Sequence, residues 1–171
     1  MEKRLREADK KLISILQNDG RISLSELGKI LGVSHVAVRN RFLRLIKDGF
    51  IRIAAQANQS KLGLRHVIIL LECVNREAEE KVVRRFEGCP RLIFLSRNVG
   101  GSLLAIMVAE DTRVLESIPS ECAIRTDEGV KWSEVIVGSD DIVYPNFLPL
   151  RIPGEKLLYS PCNNYCCDCK R

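Results

Sequence analysis

Apolar residues recur at helical spacing three times within the first fifty positions. Ala8, Leu12, Ile15 and Leu16 stand at i, i+4, i+7 and i+8, and Leu24, Leu27 and Leu31 form a second short stripe. Gly32-Val33 interrupts that stripe. Ser34, a good N-cap, opens a third run in which Val38, Phe42, Leu45 and Ile46 share one face, and Gly49 ends it. Two short amphipathic helices joined by a tight glycine turn, with a third helix ahead of them, predict a tri-helical core built around a helix-turn-helix. The face of the last helix opposite its apolar stripe carries Val36, Asn40, Leu43 and Lys47, flanked by Ala37, Arg39 and Arg44.

After Ile51 the helical period stops. Ile51-Arg52-Ile53 reads as a short strand or connector, and Leu62-Gly63 marks the start of a second unit. Residues 67–71 are continuously apolar and rich in β-branched side chains, as in a buried strand. Asn75 can cap a helix with Glu77, Glu79 and Glu80 near its start and Arg84 and Arg85 near its end, an order that suits the helix dipole. Gly88 and Pro90 stop it. Strands follow over 92–97 and 103–109 with Gly100-Gly101 as the hairpin turn, then a short helix around 112–117 and a last strand over 130–137. The order βαββαβ predicts a ferredoxin-like sheet with one face left to be covered, which a second copy would do as an isologous dimer. The expected fold class is α+β: an N-terminal winged helix-turn-helix domain over 1–52, a linker over 53–63 and a βαββαβ domain over 64–140. A Pro-rich arm with a Cys-rich tail follows over 141–171.

Charge sharpens the first unit. Residues 1–61 carry 13 Lys and Arg against 6 Asp and Glu, a net of +7, whereas residues 62–171 carry 14 against 16, a net of −2. The basic excess lies wholly where phosphate neutralisation needs it, so double-stranded DNA is the expected partner. At the start of the last helix Val36 and Ala37 can meet thymine methyls, Asn40 can pair bidentately with adenine, and Arg39 or Arg44 can address guanine or phosphate. Arg41, nearer the core edge, suits the backbone of the duplex or an intrahelical carboxylate. No run of apolar residues is long enough to span a membrane, and the charged start MEKRLREADKK has no apolar segment, so the expected location is the cytoplasm, with no membrane partner.

The chain resembles the leucine-responsive/AsnC (feast/famine) regulators of bacteria and archaea over about residues 5–140. The resemblance rests on DKKLISILQNDGRISLSELGKILGVSHVAVRNRFLRLIKDGFI, on Leu62-Gly63, and on the βαββαβ order. Its spacing includes Asp9, the Asn18-Asp19-Gly20-Arg21 turn, Ser23, Leu31-Gly32, Ser34, Val38, Arg41 and Gly49. It implies a transcriptional regulator that dimerises through the second domain, often builds octamers, and binds a small molecule, commonly an amino acid. The candidate DNA-contacting set is Arg21, Ser23, Ser34, His35, Val36, Ala37, Arg39, Asn40, Arg41, Arg44 and Lys47. The candidate effector site is the turn Gly100, Gly101 and Ser102. That turn departs from the family: members usually have a Gly followed by an Asp there, and this chain has no carboxylate to receive an ammonium group.

The tail carries different chemistry. Pro145, Pro149, Pro153 and Pro161 favour an extended arm, and Cys162, Cys166, Cys167 and Cys169 then place four thiols within eight residues. No cofactor is required by the sequence, but such thiols suit a soft ion, Cu(I) or Zn(II), held within one tail or shared between two. Redox switching through a disulfide and a tail with no role are the competing readings. Cys73 reads as a small buried hydrophobe, while Cys89 and Cys122 have no marked role. An enzyme is the remaining alternative, since haem-pathway decarboxylases related to this regulator family share the fold pair. The chain has only two histidines, His35 and His66, neither in a proton-transfer or nucleophile arrangement, and no phosphate loop or dinucleotide fingerprint. The expectation is a non-enzyme.

Overall fold

A computed structural model of the chain describes residues 5–87, 89–110, 112–139 and 143–150. They fall into two compact units, divided between Ala54 and Ala55.

The first unit is three helices: α1 (Glu7–Asn18), α2 (Leu24–Leu31) and α3 (His35–Lys47). Leu12, Leu16, Leu27, Val38 and Leu45 form its buried centre, with Ile15, Leu24, Leu31, Phe42 and Ile51 packed around them. Each such side chain removed from water contributes about 1.5–3 kcal/mol, which is how so small a unit stays folded. Three expectations are corrected. Ala8 is exposed, and its place in the core face of α1 is taken by Asp9, which is only 1% exposed. Ile46 is 40% exposed, because the stripe through Val38, Phe42 and Leu45 turns it to the rim. Residues 51–56 form no strand and no wing follows α3, so the reader is a plain three-helix unit.

The α2–α3 turn is set by small residues. The Ser23 hydroxyl accepts the Glu26 amide at 3.1 Å and the Ser34 hydroxyl accepts the Ala37 amide at 3.2 Å, so each helix starts on a serine cap. Gly32 ends α2 in the left-handed region at φ 65°. Gly28 lies inside α2 where the turn folds over it, and the Val33 amide donates to its carbonyl at 3.0 Å. A Cβ at position 28 would stand 2.8 Å from the Val33 carbonyl oxygen.

The second unit contains β2 (Arg65–Cys73), α4 (Arg76–Phe86), β3 (Leu92–Arg97), β4 (Ser102–Ala109), α5 (Thr112–Glu121), α6 (Ala123–Thr126) and β5 (Val130–Val137). The four strands pair antiparallel in the order β3-β4-β2-β5, the expected βαββαβ arrangement. Alternation along β2 sends Val67, Ile69 and Leu71 to the core, where Ala78, Val82 and Phe86 of α4 and Val114, Leu115 and Ile118 of α5 cover them. Asn75 caps α4, its side-chain oxygen accepting the Ala78 amide at 2.9 Å. The segment around 112–117 extends into a longer helix and is followed by α6.

Among the described residues of this unit, no helix covers the other face of the sheet. There Ile68 pairs in register with Ile106 and Ile136, and Leu70 with Leu104, while Phe94 and Trp132 are each 48% exposed. The linker is also more ordered than expected. β1 (Ala57–Asn58) pairs antiparallel with β6 (Phe147–Leu148), so the arm after residue 140 returns to the segment expected as linker. Between β1 and β2 a short 3-10 turn (Ser60–Leu62) closes on Gly63, and Gln59 is buried and donates to the Leu64 carbonyl.

Candidate nucleic-acid interface

α3 presents its first turns to solvent. Ser34, His35, Val36, Ala37, Arg39 and Asn40 are all exposed, and Leu43 and Lys47 continue that face toward the C-terminal end. Thirteen residues make the helix about 20 Å long. A major groove roughly 12 Å wide admits it, and the N-terminal turns are those that reach base edges. Arg39, Asn40 and Lys47 make no side-chain hydrogen bond or ion pair among the described residues, so their donors remain available. Arg21 is exposed in the turn before α2, where its amide donates to the Asp19 carboxylate at 2.8 Å. Ser23 and Ser34 use their oxygens as caps, and their hydroxyl protons remain to donate outward.

Arg41 and Arg44 are placed differently. Both reach back to Asp9: Arg41 Nη1 donates to Asp9 Oδ1 at 2.9 Å and Arg44 Nη2 to the same oxygen at 2.6 Å. The Arg6 amide donates to Asp9 Oδ2 at 3.0 Å. Burial alone pushes this carboxyl up, but the Arg6 amide and the two guanidiniums outweigh it and hold it below the ordinary carboxylate value. The carboxylate that Arg41 meets is therefore not an intrahelical one, as expected, but Asp9 of α1. Arg44, read from sequence as a base or phosphate contact, has one edge committed to the same group while its side chain stays 43% exposed. Arg6, Ala37, Asn40, Arg41 and Arg44 line a cleft of about 240 Å³ beside this pair.

Sequence reasoning gave no role to Asp9 or Arg6. The signal for Asp9 was its spacing: positions 9, 12 and 16 lie on one face of α1, so a carboxylate stands among leucines and must be paired.

The remaining candidates are less assembled. Gly100 and Gly101 have φ 101° and 87° and turn the β3–β4 hairpin. The Asn98 side-chain amide donates to the Ser102 hydroxyl at 3.2 Å and the Asn98 amide to the Ser102 carbonyl at 2.8 Å, so the turn's polar groups serve each other. His66 is half-buried with its ring against Gly138, where a Cβ would stand 2.0 Å from Nε2. Cys73, Cys89 and Cys122 are buried in the second core. Cys162, Cys166, Cys167 and Cys169 lie outside the described residues. Among the described residues no cluster of His, Cys, Asp and Glu could hold a metal ion, and no helix is long and apolar enough to cross a membrane.

The AsnC-type helix-turn-helix domain matches residues 7–46, the span from the start of α1 almost to the end of α3. The chain is similar to the HTH-type transcriptional regulator PH0140 of Pyrococcus horikoshii, with 30% identity over 135 residues, 78% of this chain and 85% of that one. It is also 41% identical over 83 residues to the HTH-type transcriptional regulator PF1231 of Pyrococcus furiosus, of which it spans about half, 56%. The solved structure of AsnC from Escherichia coli superposes with a TM-score of 0.66 over 83% of this chain and 97% of that one, at 15% identity, a likeness of fold. The two Pyrococcus relatives carry transcriptional-regulator names. With the reader matched helix for helix and a regulator aligned over most of both lengths, the chain belongs to the Lrp/AsnC family of helix-turn-helix transcriptional regulators.

Proposed function

We propose that the chain acts as a homodimer that reads a pseudo-palindromic DNA site, docking the two α3 helices into successive major grooves about 34–36 Å apart. The observation that carries the reading is the exposed, basic and otherwise uncommitted N-terminal face of α3, with Val36, Ala37, Arg39 and Asn40 positioned behind the Ser34 cap. The dimer is supported by the sheet face that no described helix of this unit covers, where Ile68, Leu70, Leu104 and Ile106 are half-buried and Phe94, Trp132 and Ile136 exposed. A self-complementary apolar patch of this kind favours a two-fold partner, and an octamer would join four such dimers through a second, different contact. The test is binding of full-length protein to duplexes selected from a random pool. Asn40→Ala should lose about 1–3 kcal/mol on the selected site and little on random sequence. Unchanged site preference would assign the reading face elsewhere. Ile136→Lys should shift the hydrodynamic mass toward the monomer.

The signal is assigned to the tail. Cys162, Cys166, Cys167 and Cys169 would supply thiolates to Cu(I) or Zn(II), or close a disulfide on oxidation. The pairing of β6 with β1 supports a route for that signal, since the arm leading to these cysteines is hydrogen-bonded to the segment that follows the DNA reader. DNA affinity titrated with Cu(I) and Zn(II), with and without residues 162–171, tests it. A shift in the full chain that the truncation lacks makes the tail a sensor. Equal behaviour moves the search to a small metabolite at Gly100, Gly101 and Ser102.

A further inference from the structure

Asp9 lies beneath the point where three arginines and the reading face of α3 meet. Its carboxylate is 1% exposed, and both oxygens are taken: Oδ1 by Arg41 and Arg44, Oδ2 by the Arg6 amide. One anion thus holds two cations, and with the Arg6 side chain on the same cleft the site stays net positive. Each guanidinium spends one of its five N–H donors on Asp9 and keeps the others for an outside acceptor. Without the shared carboxylate, two like charges one turn apart on α3 would repel and swing into solvent as separate, flexible chains.

We propose that Asp9 is a positioning residue for DNA recognition: it holds Arg41 and Arg44 side by side so that, with Arg6, they clamp one backbone phosphate at the mouth of the Arg6–Asn40 cleft. This rests on α3 being the recognition helix. The clamp sets register, because Asn40, the candidate adenine reader, lines the same cleft as the three arginines. A phosphate seated there fixes how far Asn40 stands from the base edges. Arginine pairs with phosphate in a forked geometry, and holding both forks in advance removes the ordering loss at binding.

The experiment compares full-length wild type with Asp9→Asn and Arg6→Gln, using a duplex that wild type selects from a random pool and an unselected duplex, across a salt series. Asp9→Asn adds a positive charge, so a purely electrostatic effect would strengthen binding to both duplexes. The proposal expects affinity for the selected duplex to fall about tenfold or more while the unselected duplex holds steady or gains, so that the preference collapses. Arg44→Gln should cost about tenfold in wild type and little more in the Asp9→Asn background. Arg6→Gln, an exposed side chain with no role in the core, should lower affinity for both duplexes and reduce the salt slope by about one. It keeps the test open if Asp9→Asn does not fold. An Asp9→Asn protein that melts earlier yet keeps its preference would make Asp9 a structural group only. An unchanged salt slope in Arg6→Gln would remove the clamp. If wild type itself selects no sequence, the recognition-helix reading fails, and this inference with it.

Discussion

Gly28→Ala sets two opposed effects against each other at the hinge of the DNA reader. Alanine is the better helix former by about 0.8–1.0 kcal/mol, so on propensity alone the change would stabilise α2. The structure opposes this. The new methyl would stand 2.8 Å from the Val33 carbonyl oxygen and 3.4 Å from the His35 amide nitrogen, both backbone atoms of the turn. Overpacking of that kind costs about 1–3 kcal/mol, since the turn cannot rotate away as a side chain end would. The net expectation is a loss of about 1 kcal/mol, and a fall in melting temperature of about 4–8 °C for a domain of this size. Relief must come from lifting the turn, which shifts Ser34 and the start of α3, so DNA affinity should fall by more than the stability loss explains. Thermal unfolding by circular dichroism and DNA binding well below the transition measure the two parts. Gly32→Ala is the control: nothing lies within 4 Å of its Cβ, and the loss there is the conformational one of a φ of +65°. A Gly28→Ala protein as stable as wild type and binding DNA equally would refute the claim that this close approach fixes the turn.

Three further outcomes follow from the packing. Asp9 has its carboxyl held below its ordinary 3.8, so its stabilising contribution is complete above that value and is lost as pH falls through the lower folded value. Urea midpoints at about pH 3 and pH 6 should show wild type losing more stability on acidification than Asp9→Asn, and parallel behaviour would contradict the assignment. Leu45→Ala removes a side chain that is 1% exposed at the centre of the three-helix core and should cost about 2–5 kcal/mol, read as a lower unfolding midpoint with lost DNA binding. Asn75→Ala removes the α4 cap and should cost about 1 kcal/mol in the second unit while leaving DNA contacts untouched, which a single denaturation series against a binding curve checks.

The helices and the sheet were legible because burial imposes a period on sequence. Leu12 and Leu16, Val38 and Leu45, and the alternation along Val67, Ile69 and Leu71 all follow it. What escaped depends on contacts that no period encodes. Asp9 enters the core only because Arg41 and Arg44, 32 and 35 residues away, come to meet it. A template that counts apolar positions therefore chose Ala8 instead. The β1–β6 pairing joins two-residue strands some ninety positions apart, too short to carry an alternation. Within the reader, the sequence showed which side of α3 faces out. It could not show that Arg44 leans back over the helix to a carboxylate.

The three buried thiols of the second core give the chain an internal clock. Cys73, Cys89 and Cys122 lie among the side chains that hold the sheet to its helices, and burial pushes the Cys73 thiol up, away from its reactive form. An alkylating reagent in water reaches them only when that core opens. Their labelling rate therefore reports the free energy of local opening residue by residue, from the β2 end at Cys73 to the α5–α6 corner at Cys122. A ligand that tightens this unit would slow the three rates together, whereas one that loosens a single edge would set one thiol apart from the others.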